Sequence, residues 1–187
     1  FSPVESDLCI LENENYVLAH NKFCVYTNHL LLLTREFQAQ MEHLHESDFL
    51  ECDNVLGNDG WANGDWLVFY NRGVFSGCSQ PHKHIQLLRM YDDDGTERFP
   101  LSQDLDSGNT DSLTFRCSFR KLRGNEDLSE VYKIYSEMLH ELDLEAQKRF
   151  DDVILHEKFV EETANIHENN EGYNLYKDVD HLQLLVG

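Results

Sequence analysis

Pro81-His82-Lys83-His84-Ile85-Gln86-Leu87-Leu88 reads as a β-strand whose two faces carry opposite chemistry. Side chains alternate along a strand, so His82, His84 and Gln86 share one face while Ile85 and Leu87 pack behind it. Upstream, Trp66-Leu67-Val68-Phe69-Tyr70 is the strongest strand signal in the chain. Tyr16 to Ala19 and Leu30 to Thr34 read as two further strands, turned near Asn21 and Asn28. Leu113 to Phe119 alternates as a half-buried strand with Leu113, Phe115, Cys117 and Phe119 inward. Tyr173 to Tyr176 and Leu182 to Val186 form a closing strand pair.

Helical signals fall between these strands. Ser47 is the expected N-cap of a helix that sets Phe49, Cys52 and Leu56 on one face. Gly57 to Gly64 is turn-rich. Asp127 with Glu130 makes a capping-box pattern ahead of the apolar stripe Leu128, Val131, Tyr135, Met138 and Leu142. Another helix is expected over 144–163, and 91–110 reads as an acidic, irregular insertion. Strands and helices mix without a βαβ rhythm, which predicts an antiparallel α+β domain rather than a doubly wound sheet. A chain of 187 residues suits a single such domain.

Composition narrows the partners. The formal charge is 15 − 35 = −20, a field that repels nucleic acid and anionic membrane. Any phosphate site must therefore be local, built from backbone amides and a few cations. The longest apolar run, Leu30 to Leu33, is far short of the ~18 residues of a spanning helix. The first fourteen residues are acidic, with no basic signal-peptide region, and the absence of an initiator Met reads as a fragment, a processed form or a trimmed chain. Five scattered cysteines without a Cys-x-x-Cys pair predict a reducing compartment, the cytoplasm or also the nucleus.

The polar face of the 82–88 strand can do covalent chemistry. A free imidazole titrates near ~6.5, so a neutral nucleophilic nitrogen is available at neutral pH. Its attack on phosphorus would give a phosphoramidate for a second substrate to capture. The small residues Ser76-Gly77-Cys78-Ser79-Gln80 can bring backbone N–H groups close to phosphate oxygens. Other readings stay open at this point. A His-x-His pair on a strand is often structural, and it could also hold a metal if a third ligand came from elsewhere. His43 and His45 repeat the pattern in a polar stretch read as surface. Cys78 has no base placed beside it and reads as a small filler.

The combination Leu67-Val68-Phe69-Tyr70-Asn71, Gly73, Ser76-Gly77, Ser79-Gln80-Pro81-His82-Lys83-His84 and Gln86 resembles the signature of the diadenosine tetraphosphate phosphorylases. These are ATP adenylyltransferases of the histidine-triad superfamily. Asn21-Lys22-Phe23, Asn28-His29-Leu30-Leu31-Leu32 and Thr34-Arg35-Glu36-Phe37 resemble that family's N-terminal strand pair, with weaker echoes over 113–122 and at Tyr173-Asn174-Leu175. The resemblance implies a histidine-triad-like antiparallel sheet with packed helices. It implies that His84 takes an adenylyl group from a dinucleoside polyphosphate and passes it to inorganic phosphate, yielding ATP and ADP. It places His82 as a support for the reacting phosphate and Gln86 where hydrolytic relatives carry a third histidine. Glutamine neither accepts nor donates a proton near pH 7, so phosphate rather than water should intercept the intermediate. The same matching puts Asn21 and Lys22 at nucleotide or phosphate contacts and Asn71 at a substrate contact. Gly77, Cys78, Ser79 and Gln80 fall on the phosphate loop, with Asn174 a further contact.

The family chain is longer, with N- and C-terminal segments that have no counterpart here, and Cys78 stands where alanine is usual. The alternatives are a weakly active or non-catalytic nucleotide-binding member of the fold, a sugar-1-phosphate nucleotidyltransferase, and a metal-binding module. A divalent cation such as magnesium would suit phosphate chemistry inside an acidic protein.

Overall fold

Alternation in the sequence becomes an antiparallel sheet because one side of each strand must leave water. A computed structural model describes residues 4–24, 26–62, 66–73, 76–92, 94–96, 117–122, 126–142, 173–177 and 181–186. Its strands are β1 (Cys9–Glu12), β2 (Tyr16–His20), β3 (Leu30–Thr34), β4 (Trp66–Arg72), β5 (His84–Arg89), β6 (Cys117–Lys121), β7 (Tyr173–Lys177) and β8 (His181–Val186). They lie in the order β1-β2-β3-β5-β4-β7-β8-β6, every pair antiparallel. Helices α1 (Glu46–Ala62) and α2 (Leu128–Glu141) pack on one face of the sheet. The α+β antiparallel architecture expected from the sequence is the one observed.

The central strands carry the core. Leu32 of β3, Val68 and Tyr70 of β4, Ile85 and Leu87 of β5 and Leu175 of β7 are buried against Phe49 and Cys52 of α1 and Tyr135 and Met138 of α2. On the opposite face the register sets Leu31 across from Gln86 and Leu33 across from His84, with Phe69 flanking Gln86 on β4. Those positions, His84 apart, are only half-buried. A one-residue slip of β5 would turn Ile85 and Leu87 outward, at about 1.5–3 kcal/mol for each large apolar side chain exposed. The core therefore fixes which way His84 and Gln86 face.

Several local expectations are corrected. Helix α1 begins at Glu46, and Ser47 does not cap it: the Ser47 hydroxyl lies 3.2 Å from the Tyr16 hydroxyl. The cap comes instead from Asp48, whose carboxylate accepts the His45 N–H at 2.7 Å, the reach-back half of a capping box. The stretch after Gly57 is helical to Ala62, with the break confined to Gly57 at φ 66°, a left-handed conformation that glycine adopts freely. His43 is buried, against its surface reading, while His45 is exposed. On β6 the inward residue is Ser118, which donates to Glu141 of α2 at 2.8 Å, while Cys117 and Phe119 are half-buried. Edge strand β1, with exposed Ile10 and Leu11, gave no clear sequence signal.

Asp127 does cap α2, accepting the Glu130 N–H at 2.8 Å, and Val131, Tyr135, Met138 and Leu142 are buried as the stripe predicts. The expected helix over 144–163, residues 113–116 and most of the 91–110 insertion lie outside the described residues. No helix among the described residues is long and apolar enough to cross a membrane.

Candidate functional site

His84 opens β5, just where that strand emerges from the loop that ends at Pro81. Its ring Nδ1 lies 2.9 Å from the His82 carbonyl oxygen. A carbonyl only accepts, so Nδ1 must carry the proton and Nε2 must hold its lone pair. No hydrogen bond from a described residue engages that Nε2. Burial pushes the His84 pKa below the ordinary histidine value, the His82 carbonyl pulls the other way, and nearby His29 adds to the lowering. A neutral imidazole with one lone pair that no described residue occupies can act as a nucleophile.

The His82 ring is turned elsewhere. Its Nε2 donates to the Thr34 carbonyl at 2.6 Å, with the Thr34 hydroxyl at 2.9 Å, and Phe37 packs edge-on at 5.5 Å between centroids. Its visible tie to His84 runs through the backbone carbonyl.

Gln86 belongs to a polar chain. His29 Nε2–H donates to Gln86 Oε1 at 2.9 Å, and Asn21 Nδ2 donates to His29 Nδ1 at 3.1 Å. With its oxygen occupied, Gln86 has its NH2 left as a donor. Asn21 Oδ1 meanwhile accepts the Phe23 N–H, closing the turn before β3. Burial lowers the His29 pKa, so the ring stays neutral and keeps both roles. Lys22 is exposed and paired with Glu5 at 2.6 Å, and that carboxylate raises the pKa of the ammonium. A phosphate reaching Lys22 would have to displace Glu5.

Across the groove, Asn71 of β4 pairs with Asn174 of β7 in the register. The Asn71 side chain lies near the loop: a Cβ on Gly77 would stand 3.7 Å from its Nδ2. Gly77 holds φ 84°, and the N–H groups of Ser76 and Cys78 turn inward onto the Gly73 carbonyl at 3.2 and 3.3 Å. Gly77, Ser79 and Gln80 are exposed, and no described residue takes their N–H groups. Three amides on one loop are thereby open to an anion. Cys78 is buried, which raises its thiol to about 11 and leaves it protonated and inert.

Three residues that were not singled out prove central to this geometry. They are His29, which orients Gln86; Gln40, whose side chain binds the His84 backbone; and Asp48, which pairs with buried Lys83 at 2.7 Å directly behind the histidine strand. His29 lay within the stretch of family resemblance, whereas Gln40 and Asp48 carried no local pattern. No three His, Cys, Asp or Glu side chains among the described residues gather as around a metal.

Comparison with known proteins identifies the family. The family model described as the Ap4A phosphorylase N-terminal domain matches residues 1–107. The diadenosine 5',5'''-P1,P4-tetraphosphate phosphorylase 2 of Saccharomyces cerevisiae is 40% identical over 100 residues, which cover 48% of this chain and 31% of that protein. The crystal structure of yeast Ap4A phosphorylase Apa2 superimposes with a TM-score of 0.72 at 23% identity, over 99% of this chain and 61% of that one. Its complex with AMP gives a TM-score of 0.70 at 25% identity, over 98% and 61%. The chain thus spans about a third of the curated relative and three fifths of the solved one. With the signature loop, the histidine strand and more than half of its length matched, the chain belongs to the Ap4A phosphorylase N-terminal domain family.

Proposed function

We propose that this protein cleaves diadenosine tetraphosphate with inorganic phosphate, giving ATP and ADP through an adenylyl group carried on His84. The His84 Nε2 lone pair attacks the α-phosphorus, a P–N bond forms, and the P–O bond to the leaving ATP breaks. The ring is then a cation, with Nδ1–H still held by the His82 carbonyl. Phosphate oxygen attacks next, the P–N bond breaks, ADP leaves, and the imidazole returns neutral. Gly77, Ser79 and Gln80 amides and the Gln86 NH2 would hold the phosphate oxygens, with Asn21, Lys22, Asn71 and Asn174 around the nucleotide. His82 would keep the nucleophile in register.

The observation that carries this reading is the Nδ1 contact to the His82 carbonyl, which leaves Nε2 unprotonated. Because Gln86 offers only a donor and no basic nitrogen, water is poorly activated and phosphate competes well. Magnesium would neutralise the polyphosphate, and with no described carboxylate cluster to cage it, it would travel on the substrate. We place the protein in the cytoplasm, or also the nucleus, on its odd, scattered cysteines.

Incubation with diadenosine tetraphosphate and phosphate should release ATP and ADP and leave an adenylylated protein in the mass spectrum. Absence of both product and adduct overturns the proposal. Nucleotide binding without turnover would appear instead as AMP binding with no adduct.

The pH dependence follows from the lowered His84 pKa. Protonation of Nε2 removes the nucleophile, so the single-turnover rate of adenylylation should hold level as pH falls through the ordinary histidine range near ~6.5. It should decline only below that range. A decline centred above it would show that another group controls the step.

A further inference from the structure

We propose that Gln40 is the positioning residue for His84, its side-chain amide standing in for a missing stretch of β-ladder. Strands β4 and β5 pair from Trp66 and Arg89 as far as Phe69 and Gln86. Beyond that point no ladder pair among the described residues joins Asn71 to His84. The His84 N–H and C=O point into this gap. Left alone there, each would be a buried polar group without a partner, at about 1–3 kcal/mol apiece.

Gln40 fills the gap. Its Oε1 accepts the His84 N–H at 2.7 Å, and its Nε2 donates to the His84 carbonyl at 3.2 Å and to the Asn71 carbonyl at 2.9 Å. A primary amide has one acceptor oxygen and two donor hydrogens, so all three bonds can form at once. Gln40 has no exposed surface, and its own backbone is held at both ends. Its N–H donates to the Pro81 carbonyl at 2.8 Å, and its carbonyl accepts the Tyr70 hydroxyl at 2.9 Å.

The consequence lies in the ring. The His82 carbonyl sets the His84 tautomer, and the angle between the two depends on the backbone between them. Bonding the His84 peptide on one side and the Asn71 carbonyl on the other fixes the separation of the two strands at the residue that carries the imidazole. Gln40 touches neither substrate nor the reacting atoms, and acts through His84.

This inference rests on the phosphorolysis proposed above, and the test separates the two. Gln40→Met keeps the length and bulk of the side chain and removes every hydrogen bond. The turnover of diadenosine tetraphosphate by Q40M is expected to show kcat lowered roughly 100-fold with KM within about twofold, the signature of a misplaced nucleophile rather than lost binding. Ring nitrogen shifts of ¹⁵N-histidine should show His84 as the Nδ1–H tautomer in the wild type and as a mixture in Q40M. An unchanged kcat, or a lowered kcat with an unchanged tautomer, overturns the proposal. If the wild type turns over no dinucleotide, the activity reading fails while the tautomer comparison still decides the role of Gln40. If Q40M does not fold, the wild type suffices: a through-hydrogen-bond coupling between the His84 amide and the Gln40 side-chain carbonyl supports the anchor, and its absence rejects it.

Discussion

Replacing His84 by alanine is expected to abolish both the adenylylated protein and the release of ATP and ADP. Loss of a covalent nucleophile lowers kcat by about 10⁶-fold in a well-studied hydrolase, or about 8 kcal/mol of barrier. The fold should survive, because Gln40 bonds the His84 backbone rather than its ring, and the ring gives up one hydrogen bond, to the His82 carbonyl. Nucleotide separation by ion exchange and an intact-protein mass spectrum check the outcome together. A His84→Ala protein that still releases products would remove His84 from the mechanism. His82→Ala makes the informative contrast. It loses the ring contacts to Thr34 and Phe37 but keeps the carbonyl that holds Nδ1, so activity should be weakened, not lost.

The largest stability effect should come from behind the same strand. Lys83 and Asp48 are each 1% exposed, and the ammonium is 2.7 Å from the carboxylate and 3.1 Å from the Gln38 side-chain oxygen. Asp48 also accepts from the Tyr16 hydroxyl at 2.9 Å and from the His45 N–H at 2.7 Å. Lys83→Met leaves that carboxylate charged, buried and short of its counter-ion, at about 3–5 kcal/mol. Against a typical net stability of about 5–15 kcal/mol this is a large share, and the thermal midpoint should fall by roughly 10 °C. Pairing Lys83→Met with Asp48→Leu removes both charges and should recover part of the loss, the remainder being the His45 N–H and Tyr16 hydroxyl that lose their acceptor. Urea unfolding of the single and double variants checks this. A single variant within about 1 kcal/mol of wild type would mean that water or another cation reaches Asp48.

Parts of this site were legible in the residues and parts were not. The faces of β5, the stripe of α2 and its Asp127 cap follow from short-range periodicity, although the strand expected over 82–88 runs from His84 to Arg89 and leaves His82 outside it. The helix start misled because Ser47 is a good capping type, yet the tertiary contact of Asp48 with Lys83 and Tyr16 draws the first turn one residue earlier. His43 misled for a related reason: its polar neighbours say nothing of the strands and helices that cover it.

Several partners of the histidine strand come from far along the chain. His29 reaches Gln86 across 57 positions, Gln40 reaches His84 across 44, and Asp48 reaches Lys83 across 35. A side-chain bond to a distant backbone group leaves no period in the sequence, so nothing marks Gln40 among its polar neighbours. From the sequence alone came the family motif around His84 and the face that the histidine occupies, because alternation and a short motif are local properties. Only the tertiary structure decided which way the Gln86 amide points and what bonds the His84 peptide, because those partners, His29 and Gln40, are delivered by packing. The proton on Nδ1 has a nearer cause, the His82 carbonyl two residues away, but the ring's rotation onto it shows only in the folded chain.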